Sequence, residues 1–409
     1  MALLAAGDYY ILLEIFLLLA VAQLIHSLTK RIGFPEIVAD LLAGMVIGSY
    51  AVGGVFDTLT GTHLFEINSG LLLFADFSVV LLLFAAGLGG GFASLRAAGI
   101  WAVGMAIAGD LLSFALAFVV FREFVPLDAA LFIAVATAAT SAVAVASVLT
   151  SADVARTPGG RLFMNASALD DVVALTMLSV VVTVLSGYTD PLRLTGSVIT
   201  AVVAWIVVLL AAVVVIPRLF RLQPFRNLET LPFTVLFILI ATVLALGFSP
   251  VIGAFIAGLA IAESVVANRT REMTAVLVAV FGSLFFVVVG AEFDVGLLLD
   301  LTLVGLALLL SALAIAGKML GVYPFARRRL GNSRAGWTVA LGMVPRGEIG
   351  LVVGAIGYSS GMLTQEQLGV IVLMAIITTL IGAGLFPRFA SSLKTGAGVS
   401  GAEPPSTVI

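Results

Sequence analysis

Two adjacent carboxylates, Asp170 and Asp171, stand in "NASALDDVVALTML", Asn165 to Leu178, a stretch that otherwise holds no charge. A carboxylate's affinity for protons responds to burial and to neighbouring charges. The oxygens that take up a proton are also those that ligate a hard monovalent cation, so the two ions compete for one site. If a protein changes conformation when loaded but not when empty and charged, that competition alone couples opposite flows of cation and proton. No nucleotide and no covalent step is required. Consecutive helical residues lie about 100° apart around the axis, so one aspartate can face a neighbouring helix while the other faces a cavity. Asn165 and Ser167, one or two turns earlier, are candidates for supporting contacts.

Other groups with chemistry lie in equally apolar surroundings. Lys318, in "ALAIAGKMLGVYP", has no acid in its own helix beyond the residue that opens it. A buried ammonium needs a carboxylate from elsewhere or loses its proton, and Asp170, Asp171 and Asp110 are the candidate partners. In "GMVPRGEIGLVVG", Pro345 removes a backbone donor, and Gly347 and Gly350 loosen the helix beside Arg346 and Glu348. A broken helix at membrane depth exposes carbonyls and dipole ends where it lines a cavity. Arg346 and Glu348 are expected to neutralise each other and those half-helix ends. In "AVATAATSAVAVASVL", Thr140 and Ser141 offer either helix-packing hydroxyls or oxygen ligands for a partly dehydrated cation. Glu14, Asp40 and Asp76 read as structural or vestibule groups, and Asp110 as a partner of Lys318 or a lining of the water path.

The elements that position these groups follow from composition. The 409-residue chain is 61% hydrophobic and 11% charged, far more apolar than a soluble domain. Apolar runs of about 20 residues are the length of membrane-crossing helices, not of barrel strands. Thirteen spans are expected, near 9–28, 35–51, 69–89, 97–121, 129–149, 161–187, 195–217, 230–247, 250–267, 273–290, 300–325, 335–358 and 366–388. The basic residues agree with that count: sixteen of the twenty fall in the loops after odd-numbered spans and in the tail, against Arg122 and Arg193 on the other side, with Lys318 and Arg346 inside spans. The positive-inside rule then puts the N-terminus outside and the C-terminus in the cytoplasm. An odd count fits two inverted six-helix halves, about 9–187 and 230–388, joined by a linker helix near 195–217. Residues 1–390 form the membrane domain, and 391–409 are expected to be a short flexible cytoplasmic tail, with no nucleotide-binding regulatory domain. No signal peptide is read at the N-terminus.

The same composition excludes several functions. There are no cysteines, hence no thiolate metal site or cysteine nucleophile, and His26 and His63 are isolated. No basic tract suggests nucleic acid, and no cofactor is implied.

These motifs resemble a known family. "RIGFPEIVADLLAGMVIG", "NASALDDVVAL", "FSPVIGAFIAGLAIAE", "SLFFVVVGAEFD", the lysine in "AGKMLG" and "GMVPRGEIGLV", in that order from about Arg31 to Pro387, are similar to the NapA-like sodium/proton exchangers of the monovalent cation:proton antiporter-2 family. The resemblance implies an all-α membrane fold with crossed discontinuous helices, a mobile core around spans 4 to 6 and 11 to 13, elevator-like movement and a homodimer. It implies that Asp171 carries the transported sodium, that Asp170 forms a salt bridge with Lys318, that Thr140 and Ser141 form the polar turn of the first broken helix, and that Arg346 and Glu348 are the charged pair of the second. Asp170, where electroneutral relatives have Asn, favours electrogenic exchange of sodium or lithium for two protons in a prokaryotic plasma membrane. Span 5 departs from the family in having no Gly or Pro to mark its break, and span 13 lacks the proline that usually follows its Thr pair. The other readings are a potassium/proton antiporter of the same family, a gated cation channel, or an ion sensor.

Overall fold

A computed structural model describes residues 6–29, 35–62, 64–91, 99–141, 144–145, 149, 152–185, 191–222, 229–246 and 249–394. Lys30, Arg31, His63, Arg96, Ser147, Arg226 and the tail beyond Lys394 lie outside them. The described residues are helical with no strand: α1 Ala6–Thr29, α2 Glu36–Ile47, α3 Val52–Thr60, α4 Ser69–Gly90, α5 Gly99–Phe121, α6 Leu127–Ala136, α7 Pro158–Leu185, α8 Pro191–Leu219, α9 Leu231–Ala245, α10 Pro250–Ala262, α11 Ala267–Ala291, α12 Leu301–Leu330, α13 Ser333–Gly342, α14 Glu348–Ser359, α15 Gln365–Phe389 and α16 Ser391–Lys394. Among the described residues nine stretches are long and apolar enough to cross a membrane, eight of them within single helices and one, Glu36–Thr60, running through α2 and α3. Every one of the thirteen expected spans meets a described helix.

Capping explains several boundaries. Asn68 accepts from the Leu71 N–H at the start of α4, Asp300 from Thr302 and Leu303 at the start of α12, and Thr364 and Gln367 form a capping box on α15. Each supplies an acceptor to amide donors that the first turn cannot satisfy. Two boundaries differ from the sequence reading. Span 2 stops at Ile47 and is followed by the short helix α3, whose turn beyond is tied by Asp57 accepting from the backbone of Leu64 and Phe65. Span 11 runs on through Pro324 to Leu330, so Arg327, Arg328 and Arg329 form its last turn, where cations face the negative end of the helix dipole.

Packing sorts the helices into two groups. Helices α1, α2, α4, α9, α10 and α11 pack on one another as a panel, and α5, α6, α7, α12, α13, α14 and α15 as a core, while α8 touches both through α10 and α7. Small residues set the spacing: a Cβ on Gly87 of α4 would lie 2.3 Å from the Phe255 carbonyl of α10, and one on Gly258 would lie 2.2 Å from the Phe84 carbonyl. In a bilayer, where lipid is as apolar as leucine, such close backbone approach is a main source of helix association.

Candidate functional site

The two interrupted spans meet at the centre of the core. Helix α6 ends at Ala136, and residues 137–141 leave the helical path; α13 ends at Gly342, and residues 343–347 do the same before α14 begins at Glu348. The breaks hydrogen-bond directly. The Ser141 N–H donates to the Pro345 carbonyl at 2.9 Å, and Thr140 Oγ1 donates to the Met343 carbonyl at 3.1 Å. Gly347 permits the crossing, because a Cβ there would sit 2.6 Å from Ser141 Oγ.

The break in span 5, unmarked by Gly or Pro, is held open from outside its own helix. Its freed carbonyls at Ala138 and Ala139 accept from Arg346 Nη1, both at 3.0 Å, and the Ala138 carbonyl also accepts from Lys318 Nζ at 2.8 Å. The freed Thr140 N–H donates to Asp170 Oδ2 at 2.6 Å. The second break is served by the threonine pair of α15: Thr378 Oγ1 accepts from the Arg346 N–H at 3.3 Å, and Thr379 Oγ1 donates to the Arg346 carbonyl. Unsatisfied backbone groups are costly at this depth, and these partners remove that cost.

Lys318, which is fully buried, donates to Asp170 Oδ1 at 2.5 Å and also to Asp110 Oδ1. Asp110 and Lys318 meet because α5 and α12 pack closely, with Gly317 and Gly321 against the backbone of Ser113 and Ala108. Of the three candidate partners, Lys318 therefore contacts two. Asp171 stands apart.

Asp171 is 3% exposed, and its Oδ1 has no hydrogen-bond partner. One turn earlier, Ser167 is buried with its Oγ also unpartnered. Both line a cavity of about 330 Å3 between core and panel, with Glu348 on its core wall and Leu82, Ala85 and Val278 on the panel wall. Helix periodicity puts residues four apart on one face, so Ser167 is the hydroxyl that the DD motif brings with it. Asn165 is half-buried. Thr140 and Ser141 are buried, but their hydroxyls donate to Met343 and to Glu348 Oε2, the latter at 2.7 Å.

Arg346 and Glu348 do not pair with each other. The guanidinium turns to backbone carbonyls, including Ala314 at 3.0 Å, and to Ser113 Oγ at 3.3 Å. Glu348 turns to Ser141 and the Asp171 cavity. The break aims these two residues in different directions, since Arg346 lies before the first turn of α14 and Glu348 opens it.

A second cavity of about 510 Å3 lies between core and panel nearer the α14 C-terminus, lined in part by Asp76, Glu292, Tyr358 and Ser359. Burial and then the Asp76 carboxylate push the Glu292 carboxyl, just past the end of α11, up to about 7.

This architecture is that of an all-helical membrane protein with the sodium/proton antiporter fold. The family described as "Sodium/hydrogen exchanger, transmembrane" matches residues 16–391, and the chain belongs to it. The chain is 28% identical over 383 residues to an Enterococcus hirae protein named "Na(+)/H(+) antiporter", covering 92% of this chain and 97% of that one. It is 26% identical to the "Na(+)/H(+)-K(+) antiporter GerN" of Bacillus cereus, covering 91% and 95%. The fold matches the sodium proton antiporter MjNhaP1 of Methanocaldococcus jannaschii with a TM-score of 0.71 at 16% identity, covering 94% of this chain and 97% of that one.

Proposed function

We propose that this family member is an electrogenic sodium(lithium)/proton antiporter in which cation and proton compete at Asp171, with a second exchanging proton held in the Asp110–Asp170–Lys318 cluster. The observation that carries the reading is the pair of unpartnered oxygens, Asp171 Oδ1 and Ser167 Oγ, facing one cavity. A dehydrated monovalent cation needs such oxygens, and an ionised carboxylate supplies its charge. Glu348, held by the Ser141 hydroxyl, shapes the same wall. Asp170 acts on the other side of the helix: its bond to Lys318 loosens when a proton joins the cluster or a cation occupies Asp171. Arg346 compensates the half-helix carbonyls that would otherwise attract the ion.

The reading places the arginine-rich end of the bundle in the cytoplasm and the N-terminus outside, and treats the two six-span halves as inverted repeats. That arrangement is supported by each half contributing three spans to the panel and three to the core. Core movement against the panel, elevator-like and within a homodimer, would then expose the site alternately to the two cavities. Potassium in place of sodium is the second reading, favoured by the likeness to the Bacillus cereus protein whose name includes it.

In proteoliposomes, added sodium is expected to collapse a preset pH gradient, faster when an imposed membrane potential favours net charge movement, and Asp171→Asn is expected to abolish exchange. Exchange surviving in that variant refutes Asp171 as carrier; a rate indifferent to potential refutes electrogenicity.

A further inference from the structure

One ammonium and two acids meet in the core, and their contacts are unequal. Lys318 Nζ has three acceptors: Asp170 Oδ1 at 2.5 Å, the Ala138 carbonyl at 2.8 Å, and Asp110 Oδ1. An ammonium carries three donors, so each of its hydrogens is in use. Its stem is held as well, since a Cβ on Gly109 would lie 3.0 Å from Lys318 Cδ. Asp170 is engaged at both oxygens, with the Thr140 N–H on Oδ2 at 2.6 Å. Asp110 is not. It is fully buried, only its Oδ1 meets Lys318, and its Oδ2 has no hydrogen-bond partner. The charged groups that face it are Asp170 from α7, Lys318 from α12 and Arg346 from the break before α14. The Arg346 Nη groups donate to the Ala138, Ala139 and Ala314 carbonyls and to Ser113 Oγ, not to Asp110.

A fully buried carboxyl oxygen without a donor is costly unless something uses it. The Asp110 and Asp170 carboxyls also lie within hydrogen-bonding reach of each other, a contact that two such oxygens make only when one of them carries a hydrogen. We infer that Asp110 is the residue that takes up the second transported proton, on the oxygen that Lys318 leaves free, with the ammonium fixed between the two acids. The inference rests on the antiport reading, which leaves open the group in the cluster that binds this proton. When a cation arrives at Asp171, the Asp110 O–H bond breaks and its electron pair stays on Asp110. The proton passes by way of Asp170, the neighbour of Asp171 in the chain, to water in the Asp171 cavity. Positive charge added nearby favours that departure. Uptake on the opposite side of the membrane reverses the step. One cation thus displaces one proton from Asp171 and one from Asp110, and the cycle moves one net charge.

The test counts protons. In the purified full chain, in weakly buffered detergent solution with an indicator dye, sodium chloride is expected to release about two protons per sodium bound from the wild type and about one from Asp110→Asn, with choline chloride as the blank. In proteoliposomes, exchange by Asp110→Asn is expected to lose its response to an imposed potential, because the cycle no longer moves a net charge. Asp110→Glu, which keeps the carboxyl, is expected to restore most of both. An Asp110→Asn variant that still releases about two protons, or still responds to the potential, overturns the inference alone. A wild type that releases about one leaves no second proton to bind, and the electrogenic reading falls with the inference. Should Asp110→Asn not fold, infrared difference spectra decide: the carboxylic C=O absorption that sodium removes from the wild type is expected to shift in Asp110→Glu, and an unshifted spectrum overturns the inference.

Discussion

At the scale of single residues, the site divides labour between side chains that have partners and side chains that do not. Asp170 has both oxygens engaged, one by Lys318 and one by the Thr140 N–H, whereas Asp171 keeps one oxygen unpartnered. Ser167 shares that condition, and Ser167→Ala is expected to raise the sodium KM about fivefold, the order expected from losing one neutral oxygen ligand worth about 1 kcal/mol, with little change in melting temperature. Isotope-uptake kinetics beside a thermal melt would separate these effects. Lys318 behaves differently, since its ammonium is the shared partner of two buried acids. Removing one partner of a buried ion pair costs about 3–5 kcal/mol, so Lys318→Met is expected to melt well below the wild type. The deficit should be smaller in Lys318→Met/Asp110→Asn, which removes one of the two acids left without their ammonium partner. A deficit unchanged in the double variant would show that packing, not charge, is lost.

Among the elements, the broken helices depend on contacts far away in sequence. Thr137–Ser141 carries no helix-breaking residue, yet its freed carbonyls and N–H groups are taken by Arg346, Lys318, Asp170 and Pro345. The crossing point is correspondingly tight. Gly347→Ala places a Cβ 2.6 Å from Ser141 Oγ, and overpacking of this kind costs about 1–3 kcal/mol. The variant is expected to lose several degrees of melting temperature and to lower exchange by displacing the Ser141–Glu348 bond. If Gly347→Ala melts and transports like the wild type, the two breaks do not cross as closely as described. Thr378 and Thr379 belong to the same device, and their role could not be read from their positions in an apolar run.

For the whole molecule, panel and core meet across cavities, one toward each end of α14, and the acids that line them belong to different helices. Glu292 links such a cavity to stability. Its carboxyl is held up to about 7 against an ordinary 4.5, chiefly by burial and then by Asp76. The folded state therefore holds this proton more tightly than the unfolded chain does. The stabilisation is fully present below about 4.5 and is lost as pH rises through about 7. Glu292→Gln is expected to flatten the decline of melting temperature across that window, with the curves of variant and wild type converging at acid pH; parallel curves would refute the assignment.

The sequence by itself determined the class of fold and most of the cast. Apolar length and the distribution of arginines and lysines are properties of the linear chain, so span positions, the DD motif, the lone Lys318 and the Pro345–Glu348 interruption were all legible in it. Tertiary structure alone decided who meets whom. Asp110 joined Lys318 through the close approach of α5 and α12; Glu348 turned from Arg346 to the Asp171 cavity; Ser167 emerged as an unpartnered hydroxyl; and the break in span 5 was located at Thr137–Ser141. The physical reason is common to all four. At membrane depth a polar group must be satisfied by whatever lies beside it in space, and helices of nearly uniform apolar sequence carry little local signal of their neighbours.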